Sequence, residues 1–209
     1  MTGLFRKALK LGQPSVEKMV DDLESAAFEE IRRIWKHLEG DSDRQNEFEE
    51  RLNSQEAQVA YMSACFHGFR TSDPEKHSRL ACLTINCVFA GDLKPESLDD
   101  IMRAAVELKD ADIVLLSKIY DSQRSILKHP SMDRSAWFQL IQSRWNEFVD
   151  SGALDPSKHL TYRSSFSRLE SHGLIQKFRE ISTAAVGLEP YALLEEGKKF
   201  YERLQEIAA

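Results

Sequence analysis

The sequence is poor in residues that interrupt regular structure or cross-link it. Its 209 residues include 9 glycines and 6 prolines, too few for a collagen-like or low-complexity chain. It has 3 cysteines, an odd number without a C-x-x-C pair, which argues against a secreted disulfide scaffold and favours a reducing compartment. We therefore expect a folded, cytoplasmic protein.

Long apolar runs are also missing. The longest candidate, Leu80 to Ala90, falls short of the about 20 residues that a membrane-spanning helix needs, and it contains Thr84 and Asn86. Residues 1–14 are basic and weakly amphipathic, but they lack the apolar region and cleavage site of a secretory signal. We interpret them as a leader and predict no membrane span.

Neither sign of charge dominates the chain. The 34 acidic and 28 basic side chains give a formal charge of −6, which argues against a protein that coats nucleic acid or an anionic membrane over its whole surface. Hydrophobic residues make up 42% of the sequence, enough for a sizeable core at this length. Any contact with nucleic acid must therefore be local.

Signatures of catalysis and metal binding are absent. Five candidate ligands fall close together in the sequence: Cys65, His67, His77, Cys82 and Cys87. Cys82 and Cys87 are five residues apart, so they point about 140° apart on a helix, and we interpret the thiols as buried structural groups. The histidines are interpreted as ordinary surface or cap residues. Without a nucleophile elbow or phosphate loop, the sequence predicts no enzyme, cofactor or metal.

Apolar residues recur at helical spacing through the first part of the chain, beginning with Ser15 to Leu38. We predict a bundle of about six helices over residues 15–128. The fourth helix, about Pro74 to Phe89, is apolar all round in its second half and should be buried. On the third helix, four residues are expected to face the core: Val59, Met62, Cys65 and Phe66.

The run His129–Asp133 is the predicted domain boundary, because Pro130 disfavours helical geometry in the residue before it. Residues 133–209 would form the second domain. Its first helix, Ala136 to Val149, carries a heavy aromatic face with Trp137, Trp145 and Phe148. This face is either core or an interface for a partner or a second copy.

Two segments near the C-terminus carry a family resemblance. SRLESHGLIQKF, residues 167–178, and YALLEEGKKF, residues 191–200, resemble the second half of the winged helix in multiple-antibiotic-resistance-type regulators. The resemblance covers about the last fifty residues and implies a recognition helix, a β-hairpin wing and a final helix. The expected fold is thus mainly α, a helical bundle followed by a winged-helix-like domain with a short β-hairpin.

The resemblance also implies a nucleic-acid or docking surface. Its members would be Tyr162, Arg163, Ser165 and Arg168 on the exposed side of the recognition helix, with Lys177 and Arg179 on the wing. Arg163 and Arg168 lie about 140° apart around an ideal helix, and the wing loop 181–188 carries no cation. We therefore predict a broken basic patch, and a protein rather than DNA as the partner of this surface.

The overall layout and the stretch Leu108 to Tyr120 are also similar to the abortive-infection alpha family of phage-defence proteins. Two hypotheses of function follow. The first is a non-enzymatic, cytoplasmic interaction or regulatory protein that binds a protein partner or a second copy of itself. The alternative is a DNA-binding transcriptional regulator that acts through the C-terminal winged helix.

Overall fold

The computed structural model describes residues 14–91, 94–126, 133–155, 159–177 and 190–205. These residues form nine helices and one two-stranded antiparallel sheet, which confirms the prediction of a mainly α fold. The leader up to residue 13 and residues 129–132 of the predicted boundary lie outside the described residues. In chain order the elements are α1 (Pro14–His37), α2 (Ser42–Leu52), α3 (Gln55–Gly68), α4 (Pro74–Ala90), α5 (Pro95–Glu107), α6 (Asp110–Gln123), α7 (Arg134–Asp150), α8 (His159–Ser171), β1 (Ile175–Lys177), β2 (Tyr191–Leu193) and α9 (Glu195–Gln205).

The chain divides into two compact units. The first comprises Met1–Glu107 with Arg203–Ala209, and the second comprises Leu108–Glu202. This division falls earlier than the predicted boundary at His129–Asp133. Helix α6 groups with the C-terminal elements because it packs against α7, α8 and β2.

Helix α4 is the centre of the first unit and packs against α1, α2, α3 and α5. Its second half is buried, as predicted, with Leu80, Leu83 and Ile85 fully inaccessible. The helix begins where Asp73 accepts a hydrogen bond from the backbone N–H of Glu75, with proline at the first helical position.

Helix α3 turns its small residues, not its large ones, toward this core. Ala60, Ala64 and Cys65 have no exposed surface, whereas three residues that were expected to face inward are largely exposed: Val59, Met62 and Phe66. The prediction was therefore wrong for these three and right for Cys65. The reason is close approach: a Cβ at Gly68 would lie 2.9 Å from the Sδ atom of Met19, so α3 packs through its narrow side.

The second unit is built on an aromatic cluster. Trp145 packs against Phe148, Phe166 and Tyr191 with ring centroids 5.5 to 5.9 Å apart, and the rings of Phe166 and Tyr191 stack at 4.4 Å. Burial of rings this large supplies much of the stability of a small core.

The predicted β-hairpin is present, with Ile175 opposite Leu193 and Lys177 opposite Tyr191. The amide of Gln123 extends it: Nε2 donates to the Tyr191 carbonyl and Oε1 accepts from the Leu193 N–H, each at 2.8 Å. This side chain satisfies backbone groups of β2 that would otherwise be buried without a partner.

Candidate functional site

Helix α8, which corresponds to the recognition helix that the resemblance implies, exposes only part of its polar face. Arg163 is exposed, and Tyr162 is half-buried, its hydroxyl oxygen accepting a hydrogen bond from the Asp155 N–H at 3.1 Å. Ser165 is only 1% exposed, and the Arg168 guanidinium is directed into the second unit. The expectation that Ser165 and Arg168 point outward was therefore wrong.

Arg168 is paired with Asp112 of α6. Its Nε and Nη2 atoms donate to the two carboxylate oxygens, each at 2.7 Å, and Asp112 is fully inaccessible. Burial alone would raise the pKa of Asp112, but hydrogen bonds from Arg168, Ser165 and the Lys109 backbone hold it below its ordinary value. A cation committed to a buried carboxylate is not available to a phosphate.

The two predicted wing residues are Lys177 and Arg179. Lys177 is half-buried on β1, where its backbone N–H donates to Glu170 Oε1 at 3.2 Å. Arg179 lies outside the described residues. Within the part of the chain that the structure describes, the predicted surface thus keeps Arg163 exposed on α8 and Lys177 half-buried on β1.

The aromatic face of α7 belongs mainly to the core. Trp145 is 1% and Phe148 is 6% exposed, so the interface hypothesis was wrong for both. Trp137 is half-buried and packs against a buried cluster that includes Ile126 and Ile141.

Two histidines are buried and paired with carboxylates, which the sequence interpretation missed. His77 Nδ1 lies 3.0 Å from Asp22 Oδ2, and its Nε2 lies 3.1 Å from the Thr71 carbonyl oxygen. His67 Nε2 lies 2.8 Å from Asp99 Oδ1. Both ring nitrogens of His77 therefore lie within hydrogen-bond distance of an oxygen atom of the protein. We assign it a structural role in holding the turn between α3 and α4.

The thiols fit the structural interpretation as well. Burial raises the pKa of Cys65 and of Cys82 to about 12, so neither is a thiolate at neutral pH. Among the described residues, no three His, Cys, Asp or Glu side chains are grouped closely enough to hold a metal ion.

The most distinctive surface of the first unit is the outer side of α3, which we call the α3 face (residues 55–70). Its large apolar residues recur at helical spacing and are 45 to 66% exposed: Val59, Met62, Phe66 and Phe69. Glu56 at its start and Arg70 just after its end are both exposed, and the exposed residues between them carry no charge. Sequence periodicity had assigned most of these side chains to the core.

Comparison with known proteins gives no guide to function. No family model matches the chain, and neither a curated protein nor a solved structure matches it. No helix in the described part of the chain has both the length and the apolar character to cross a membrane.

Proposed function

We propose that the chain is a non-enzymatic, cytoplasmic interaction protein that associates with a second copy of itself through the α3 face. The observation that carries the proposal is the exposure of four large apolar side chains in one row, Phe66 at 66% being the most exposed. A contiguous apolar patch of this kind on a water-soluble surface is typical of an interaction site.

The charges at the two ends of the α3 face fit a second copy as the occupant. The net charge of −6 opposes association of two copies, so the contact surface itself must add no further repulsion between like charges. The α3 face is neutral along its middle, with Glu56 at one end and Arg70 at the other. In an antiparallel pair centred near Ser63, each Glu56 lies opposite Arg70 of the second copy, because the two residues are equally far from the centre.

The size of the face predicts a weak dimer. Four half-exposed side chains offer on the order of a few hundred Å² of apolar surface, which is at the low end for protein–protein association. Arg70 already pairs with Glu107 at 3.0 Å, but both side chains are exposed, so the cation can be shared at low cost. Self-association should therefore depend on protein concentration.

Sedimentation equilibrium over a range of concentrations tests the proposal. The wild-type chain should show a monomer–dimer equilibrium that the double variant Met62→Gln, Phe66→Gln shifts to monomer. Val114→Gln is the matched control, because Val114 is as exposed as Met62, at 56%, but lies on α6. A wild-type chain that stays monomeric at the highest concentration, or a control that dissociates equally, would remove the α3 face as the dimer interface.

The winged-helix-like arrangement of the C-terminal elements remains a proposal, supported by the order of α8, hairpin and α9. DNA binding through it has weaker support, because Arg168 is bound to Asp112. If it occurred, Arg163→Ala would weaken binding, and affinity would fall steeply with salt concentration. Absence of binding to duplex DNA at low salt would exclude this alternative.

A further inference from the structure

A second surface of the first unit is chemically unlike the α3 face. It is a cleft of about 360 Å³ whose lining includes three arginines, one glutamate and two aromatic rings: Arg44, Arg51, Arg203, Glu47, Phe48 and Phe89. Its lining carries three guanidinium groups and one carboxylate, in a chain that is negative overall. Such a concentration of cations attracts anions into a concave site.

Two hydrogen bonds within the first unit hold the guanidinium of Arg51 in place. Its Nη1 atom donates to the Phe89 carbonyl oxygen at the end of α4, and its Nη2 atom donates to Glu47 Oε1 at 2.6 Å. A guanidinium has five N–H donors, so these two contacts fix its orientation without exhausting it. Gly91 keeps room for it, since a Cβ there would lie 3.2 Å from Nη1.

Arg44 lies one helical repeat before Arg51 on the same side of α2. Its Cζ atom is 5.8 Å from the centroid of the Phe89 ring, a distance at which the cation is attracted to the aromatic face. The Phe89 ring is fixed in turn by edge-to-face packing on buried Phe48, with centroids 5.4 Å apart. The cleft therefore presents a guanidinium above an aromatic ring, both on helices.

We propose that this arginine cleft binds a small phosphorylated molecule through its phosphate group. A guanidinium can donate two parallel hydrogen bonds to two oxygen atoms of one phosphate. A halide is a single atom and cannot accept both bonds in this geometry. The volume of the cleft is in the range of small-ligand sites. Association of the chain through the α3 face is not required for this binding.

Isothermal titration calorimetry at low ionic strength tests phosphate binding with three probes: inorganic phosphate, adenosine 5′-monophosphate and adenosine. Both phosphate-bearing probes should bind and adenosine should not. Tighter binding of the nucleotide than of phosphate would mean that the attached group is also recognised, whereas equal binding would mean that the phosphate alone is. Absence of binding by both phosphate-bearing probes, or binding of adenosine as tight as that of the nucleotide, would overturn the proposal.

Variants locate the site. Arg44→Gln should weaken phosphate binding about tenfold or more, because it removes charge-assisted hydrogen bonds. Arg51→Lys, which keeps the charge but loses the fork, should also weaken it. Arg103→Gln, an exposed arginine of α5 paired with Asp100, is the matched control and should leave the affinity unchanged. Equal affinities in Arg44→Gln and Arg103→Gln, with circular dichroism showing both variants folded, would rule out the cleft as the site.

Discussion

The guanidinium of Arg168 and the carboxylate of Asp112 form a two-point ion pair between α8 and the first turn of α6. The second oxygen of Asp112 also accepts a hydrogen bond from the Lys109 N–H at 2.9 Å, which closes the start of α6. One inaccessible carboxylate thus serves both as a helix cap and as the counter-ion of an arginine from another helix. The ion pair connects α8 to α6 within the second unit.

Removal of the Arg168 guanidinium should destabilise the fold. We expect Arg168→Leu to lower the free energy of unfolding by about 3–5 kcal/mol, because it leaves Asp112 buried and unpaired. The double variant Arg168→Leu, Asp112→Asn should lose less, since the neutral amide can still accept from Lys109. Urea denaturation measures both, with exposed Arg163→Leu as the control expected within about 0.5 kcal/mol of wild type. If Arg163→Leu and Arg168→Leu lowered the free energy of unfolding equally, a stabilising role of the Arg168–Asp112 ion pair would be contradicted.

The same pair predicts an acid-dependent loss of stability. Because the pKa of Asp112 in the folded chain lies below its ordinary value, the stabilisation is complete above the unfolded pKa of about 4. It is lost as the pH falls through the folded pKa. The free energy of unfolding should therefore fall more steeply below pH about 4 in wild type than in Asp112→Asn. Parallel pH profiles of the two proteins would disprove this coupling.

Gly197 is expected to tolerate no side chain. A Cβ at this buried position of α9 would lie 2.0 Å from the Leu174 carbonyl oxygen, and that oxygen accepts a hydrogen bond from the Leu194 N–H at 3.0 Å. Gly197→Ala must therefore displace backbone, at a cost of about 1–3 kcal/mol or more. Thermal unfolding measures the loss against exposed Glu196→Ala. Equal melting temperatures would show that α9 can shift freely.

The orientation of the proposed dimer is testable by charge reversal. Glu56→Arg and Arg70→Glu should each weaken self-association several-fold, because each places like charges opposite one another in an antiparallel pair. The combined variant should recover most of the loss. Since Arg70→Glu also breaks the surface pair with Glu107, Glu107→Gln is the control. Failure of the combined variant to recover association would exclude the antiparallel arrangement.

Local patterns were enough to predict the helices and the hairpin. Ser54 and Asp73, residue types typical of helix caps, accept cap hydrogen bonds, and Gly173 ends α8 with a positive φ of 66°. These features depend on residues close in sequence, which explains why they could be predicted without a structure.

The α3 face, the Arg168–Asp112 pair and the arginine cleft could not be predicted, because each depends on contacts between residues distant in sequence. Helix α3 has two apolar sides, and periodicity favours the one with larger residues; only the tight approach of Gly68 to Met19 selects the narrow side for the core. Arg168 resembled a surface cation because its partner, Asp112, lies 56 residues away. The arginine cleft likewise combines α2, the end of α4 and Arg203.

The burial of Trp145 gives the second unit an optical reporter. Indole emission shifts to shorter wavelength in an apolar surrounding, and this ring is 1% exposed among other aromatic side chains. Trp35 belongs to the first unit, whereas Trp137 and Trp145 belong to the second. Replacement of Trp35 by phenylalanine would therefore confine the tryptophan fluorescence to the second unit, so that the unfolding of this unit can be followed by itself in the intact chain.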